Sequence, residues 1–164
     1  MTLAPPSPAI ALARLLVVDD DESIRVAMAR YLRRAGYEVD VAADGADAWT
    51  RLTGGRYDAM ICDLDGPELL GRALAHDRAL AVVMLTAVND ASTAAALLGR
   101  GASDYLVKPI ELRALQDALV RALDRRALRL EKELFDQRIR EEVELRTHEL
   151  EVEKEALRDL SISV

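Results

Sequence analysis

Asp19 and Asp20, Asp63, Thr86 and Lys108 are the residues whose types could do chemistry together, and each follows or ends a short apolar run. The runs are Leu15–Val18, Ala59–Cys62, Ala81–Leu85 and Asp104–Val107. Runs without polar alternation suit strands covered on both faces, as in a parallel α/β sheet. Such sheets bind ligands at the carboxyl ends of their strands. One sheet edge would therefore gather several carboxylates, a hydroxyl and an ammonium.

Carboxylates crowded at one edge repel, and a hard divalent cation bound through oxygen, Mg²⁺ or Mn²⁺, relieves that repulsion. A hydroxyl and an ammonium beside the cation are suited to the oxygens of a phosphoryl group. Phosphoryl transfer asks a protein mainly to position groups and neutralise charge, so a carboxylate nucleophile, a lysine and a cation form a sufficient set. The chain has no Walker motif and no G-x-G-x-x-G, so nothing points to a nucleotide substrate.

The elements that must hold these residues alternate. After Leu15–Val18, the acidic turn Asp19–Glu22 leads into a helix carrying Ile24, Ala27, Met28, Tyr31, Leu32 and Ala35 at helical spacing and ending at Gly36. A strand over Tyr37–Val41, a turn at Asp44-Gly45 and a short helix over Ala46–Leu52 come next, closed by Gly54-Gly55. A third helix follows Pro67 and runs through His76, a fourth spans about Asp90 to Leu98, and a fifth starts near Glu111. Five strands each followed by a helix imply a doubly wound parallel sheet.

From Glu111 to Val164 the helical pattern meets no Gly or Pro, so one long helix is expected, with Leu112, Leu115 and Leu119 against the sheet. Beyond it the composition turns strongly charged. Residues 1–12 read as a disordered lead, 13–124 as the globular domain and 125–164 as a helical linker or stalk. Ala127, Leu130 and Leu134 form one apolar seam; Ile139, Val143, Leu150, Leu157, Leu160 and Val164 form a second, interrupted by Arg146 and Glu153. That pattern gives either a dimeric coiled coil or a solvated helix held by charge pairs.

At 164 residues, 51% of them hydrophobic, the chain can fill one core plus an appendage. A net charge of −7 excludes a broad basic surface for nucleic acid or anionic membrane. The lone Cys62 lies inside an apolar strand and reads as a core filler in a reducing, cytoplasmic setting. No apolar run approaches the roughly 20 residues of a membrane span, so no membrane insertion is expected. His76 and His148 read as solvent-facing side chains.

Taken together, Leu16–Asp21, Asp44-Gly45, Tyr57–Leu64, Pro67, Leu85–Ala87 and Gly101–Pro109 resemble the receiver domain of two-component response regulators over roughly residues 14–123. The order of the pieces and the 22 residues from Thr86 to Lys108 carry the resemblance. It implies a flavodoxin-like sheet of strand order 2-1-3-4-5 and a phosphoacceptor role for Asp63, with a histidine kinase or phosphotransfer protein as donor. It implies Mg²⁺ held by Asp20, Asp63 and the main-chain carbonyl of Asp65, with Asp19 acting through a water. Lys108 would pair with the acceptor or its phosphate, Thr86 would donate to a phosphate oxygen, Tyr105 would swing inward behind it, and Lys108-Pro109 is a candidate cis peptide. A homodimer through the last receiver helix and stalk, with no nucleic acid, completes the expectation. The chain would be a signalling domain with only self-phosphorylation and dephosphorylation chemistry.

Two departures stand out. The loop after Asp63 is four or five residues shorter than the family's usual M-P-G-x-D-G, and Asp65 puts a carboxylate where a neutral side chain is more usual. Asp63-Leu64-Asp65-Gly66 also resembles the D-x-D-G motif of haloacid-dehalogenase-like phosphatases, with Asp65 as acid and base. Against that reading, Pro67 stands where those enzymes usually have threonine, and Asp19-Asp20 precedes the nucleophile. A third alternative is a receiver-like scaffold that takes no phosphate. Each site residue also has an ordinary alternative: the acidic pair as a helix N-cap, Thr86 as a turn cap, Tyr105 as a core side chain and Lys108 as a surface lysine.

Overall fold

The computed structural model describes residues 13–63 and 67–162. The expected N-terminal lead, the loop that carries Asp65, and Val164 lie outside the described residues. Five parallel strands, β1 (Arg14–Val18), β2 (Glu38–Ala42), β3 (Ala59–Asp63), β4 (Ala81–Thr86) and β5 (Asp104–Val107), form one sheet in the order β2-β1-β3-β4-β5. The intervening helices are α1 (Glu22–Arg34), α2 (Gly45–Gly54), α3 (Pro67–His76), α4 (Ala91–Gly99) and α5 (Leu112–Ile162). This is the doubly wound topology and strand order expected from the sequence.

Strand alternation decides which helix covers which face. Leu15 and Val17, Ala59 and Ile61, and Val83 and Leu85 bury against Met28 and Leu32 of α1 and Leu115 and Leu119 of α5. Their neighbours Leu16, Met60, Cys62, Val82 and Met84 bury on the opposite face against Leu52 of α2, Leu70 of α3 and Leu97 of α4. Because both faces are covered, the strands read as unbroken apolar runs. Each fully buried leucine or isoleucine contributes roughly 1.5–3 kcal/mol.

Strand β2 begins one residue later than the sequence suggested, and the helix stop explains it. The Gly36 N–H donates to the Arg33 carbonyl and the Tyr37 N–H to the Leu32 carbonyl, with Gly36 at φ 104°. That closing motif uses Tyr37 as its last residue before the strand can start. The same arrangement ends α4, where Gly101 has φ 102° and the Ala102 N–H donates to the Leu97 carbonyl.

The chain divides into two units, Met1–Arg126 and Ala127–Val164. In the first, Arg126 of α5 pairs with Asp58 at 3.1 Å and donates to the Ala79 carbonyl, and Arg125 donates to the Ser103 carbonyl. The second unit is helix as far as Ile162, with Leu134, Phe135, Ile139, Val143, Leu150, Leu157 and Leu160 exposed. Pairs such as Arg146 with Glu142 at 3.0 Å lie along its surface.

Candidate functional site

The carboxyl ends of β1, β3, β4 and β5 deliver Asp19, Asp63, Thr86 and Lys108 to one edge of the sheet. Register makes this so: Val18 is level with Cys62, Asp63 with Leu85, and Thr86 with Val107. Lys108 Nζ lies 3.0 Å from Asp63 Oδ2 and 3.2 Å from Asp19 Oδ2, bridging the two carboxylates. Carboxylate oxygens of Asp19, Asp20 and Asp63 come within 4.8 Å of one another. Asp20 is exposed, Asp63 half-buried and Asp19 buried.

The acidic run after β1 separates into two jobs. Asp21, not Asp19 or Asp20, is the N-cap of α1, accepting from the N–H groups of Ser23 and Ile24. Capping therefore explains Asp21 and leaves Asp19 and Asp20 to the site. Asp19 is fixed in place: its Oδ1 accepts the Asp21 N–H at 2.9 Å, and its carbonyl accepts from Arg25 Nη1 at 2.8 Å. Arg25 is a supporting residue that sequence reasoning missed, since only the fold brings it back to the end of β1.

Burial pushes the Asp19 carboxyl above the ordinary carboxylate range, against the opposing pull of the Asp21 N–H and Lys108. For Lys108 burial works against the ammonium, but its bonds to Asp63 and Asp19 outweigh it and hold the group above the ordinary lysine value. Lys108 therefore stays charged at neutral pH. The three carboxylates gather around the Lys108 ammonium, which pairs with two of them. A hard divalent cation fits that donor set in charge and in ligand type.

Thr86 is buried at the end of β4, where its Oγ1 accepts the Val88 N–H at 3.0 Å and lies a longer 3.4 Å from the Val88 carbonyl. Its hydroxyl proton is thus only loosely engaged. Tyr105, level with Met84, is half-buried against the core that contains Leu97 and Ala102. The Lys108-Pro109 peptide is cis. The Lys108 N–H donates to the Thr86 carbonyl at 2.7 Å, tying the ends of β4 and β5 together.

A family profile described as the response regulator receiver domain matches residues 15–120. The chain belongs to that family. The receiver is 40% identical over 122 residues to the transcriptional regulatory protein PrrA of Mycobacterium leprae (strain TN), covering 71% of this chain and 52% of PrrA. It is 40% identical over 118 residues to the response regulator MprA of Mycobacterium avium (strain 104), covering 69% of this chain and 51% of MprA. This chain thus spans about half the length of the curated relatives it matches. The chemotaxis response regulator CheY4 of Vibrio cholerae superposes with a TM-score of 0.64 at 31% identity, over 68% of this chain and 98% of that one. The haloacid-dehalogenase reading and the scaffold reading are not favoured by these relatives.

Proposed function

We propose that Asp63 accepts a phosphoryl group from a phosphohistidine of a partner kinase or phosphotransfer protein, and that Asp20 and Asp63 hold the Mg²⁺ (or Mn²⁺) this needs. The observation that carries the proposal is Lys108 lying 3.0 Å from Asp63 and 3.2 Å from Asp19, within a three-carboxylate cluster at the sheet's carboxyl edge. Asp19 would reach the cation through a water. The main-chain carbonyl of Asp65, outside the described residues, is a further proposed ligand. When bound, the cation offsets the negative charge of the carboxylates and stabilises that of the transferring phosphoryl oxygens.

In the transfer, an Asp63 oxygen forms the new O–P bond as the N–P bond of the phosphohistidine breaks and its electron pair returns to the imidazole. Lys108, already paired with Asp63, neutralises charge on the incoming group. The Thr86 hydroxyl leaves the Val88 carbonyl and donates to a phosphoryl oxygen, drawing its loop inward. Tyr105 then turns toward the space behind Thr86. The chemistry is confined to the protein's own phosphorylation and dephosphorylation, in a cytoplasmic setting. Among the described residues, no helix is long and apolar enough to cross a membrane.

Output would pass through protein contacts rather than nucleic acid, the acidic net charge of −7 supporting that reading. PrrA is named a transcriptional regulator, but the match covers 52% of it. The exposed apolar side chains of the second unit, Ile139, Val143, Leu150, Leu157 and Leu160, support a homodimer through α5. Scattering-derived mass should rise to the dimer, or change with beryllofluoride; a monomer under both conditions would remove the dimer.

Acetyl phosphate with Mg²⁺ tests the acceptor. Intact mass should show one added phosphoryl group in the parent and none in Asp63→Asn. Equal labelling of both proteins would place the acceptor elsewhere, and no labelling of the folded parent would favour a scaffold.

A further inference from the structure

The peptide that joins Asp19 to Asp20 is where a residue outside the carboxylate cluster reaches the site. Asp19 is buried and Asp20 exposed, so the two side chains leave the chain into different surroundings. Their relative direction is set by the plane of one peptide group. The strand cannot fix that plane alone, because the registers of β1 with β2 and β3 end at Val18. Beyond them the Asp19 N–H still donates to the Ala42 carbonyl at 3.2 Å, and the Asp19 carbonyl accepts from Arg25 Nη1 at 2.8 Å.

Helix geometry brings Arg25 there. Its own N–H closes the first turn of α1 on the carbonyl of the N-cap, Asp21, at 2.9 Å. Helical side chains lean toward the N-terminus, so a long one in the first turn reaches back past the cap to the end of β1. The Asp19 carboxylate is held on both oxygens, Oδ1 by the Asp21 N–H at 2.9 Å and Oδ2 by Lys108 at 3.2 Å. Asp20 is exposed, so its main chain decides where its carboxylate points, and Arg25 holds that main chain. Among the described residues Arg25 enters no ion pair, so its part is to orient the cluster rather than to neutralise it.

We propose that Arg25 is a positioning residue for the divalent cation: by holding the Asp19-Asp20 peptide it presents the Asp20 carboxylate beside Asp63, and so sets the affinity for Mg²⁺ without touching the ion. This rests on the reading of Asp20 and Asp63 as cation ligands. Two effects of the guanidinium have opposite signs. As a positive charge it repels a nearby cation, so its loss would tighten binding. As a clamp it pre-forms the donor set, so its loss weakens binding, and groups that orient metal ligands typically carry about 10–100-fold in affinity. Arg25 is only half-buried, so solvent and salt screen its charge while the hydrogen bond persists, and the clamp is the larger effect.

Melting temperature of the full chain against Mg²⁺ concentration, starting from metal-free protein, gives the half-saturating concentration, and the rate of labelling by acetyl phosphate over the same series gives it independently. Arg25→Met keeps the aliphatic stem and removes the donors. Its half-saturating Mg²⁺ concentration should rise about tenfold in both series, with the labelling rate at saturating Mg²⁺ unchanged. Arg25→Lys, which keeps a donor and the charge, should fall between parent and methionine variant, and it carries the test should the latter not fold. A variant that melts lower without Mg²⁺ yet half-saturates at the parent's concentration would make Arg25 a purely structural residue and overturn the proposal. A half-saturating concentration below the parent's would overturn it as well, leaving only repulsion by the guanidinium. A parent whose melting temperature ignores Mg²⁺ would remove the cation reading itself, and this proposal with it.

Discussion

The two edges of the sheet handle charge in opposite ways. At the carboxyl edge, Asp19 and Asp63 share the Lys108 ammonium, and Asp20 stands beside them in the same carboxylate cluster. Toward the amino edge, carboxylates are matched. Asp40 takes Arg14 at 2.7 Å and the Tyr57 hydroxyl at 2.6 Å; Asp58 takes Arg126 at 3.1 Å and the Arg14 N–H; Asp104 takes Arg121 at 3.3 Å. Arg14 also lies over the Tyr57 ring at 4.8 Å. One edge closes its interactions within the chain and holds the fold. The other gathers three carboxylates around one lysine, a donor set suited to a hard divalent cation.

If that division is right, changes at the amino edge should cost stability without touching phosphoryl chemistry. Gly101→Ala should show the largest effect. At φ 102° a side chain is strained, and its Cβ would sit 2.7 Å from Leu74 Cδ1 of α3. A loss of about 1–3 kcal/mol is expected in denaturant unfolding, while labelling of Asp63 by acetyl phosphate persists in the folded protein. Labelling that falls in step with Gly101→Ala in protein that is still folded would break the division between edges.

A smaller effect separates the edges by pH. The Tyr57 hydroxyl, with Arg14, holds the Asp40 carboxyl below its ordinary value of 3.8. A carboxyl whose value is depressed by folding contributes stability above the ordinary value, and that contribution is lost as pH falls through the folded one. Asp40→Asn should therefore melt below the parent at pH 6, with the gap closing as pH is taken down through about 3.8 and lower. A gap that stays constant across that range would show that Asp40 acts by packing rather than charge.

Much of the carboxyl edge was legible in the sequence because its residues sit where apolar runs stop. A strand end is a local signal, and Asp63, Thr86 and Lys108 each carry it. The two-faced parallel sheet followed from the alternation of strands and helices, and its strand order from the resemblance to receiver domains. The amino edge was not legible in the same way. Arg14, Asp40, Tyr57 and Asp58 come from three separate segments, and only the register of β1 with β2 and β3 brings them together. The job of Asp21 was hidden for a different reason: three consecutive aspartates look alike until one is seen to cap α1. The start of β2 was misplaced because the motif closing α1 extends one residue past its glycine. Asp65 and its short loop, the least typical stretch of the sequence, fall outside the described residues.

The central claim is that the carboxyl edge holds its carboxylates for a divalent cation. Melting temperature against Mg²⁺ concentration tests this most directly, because a ligand that binds only the folded state raises stability by mass action. The parent should gain several degrees with saturating Mg²⁺, Gly101→Ala should start lower and gain the same increment, and Asp63→Asn should lose most of it. A parent that does not respond to Mg²⁺, or equal increments in all three proteins, would contradict the claim.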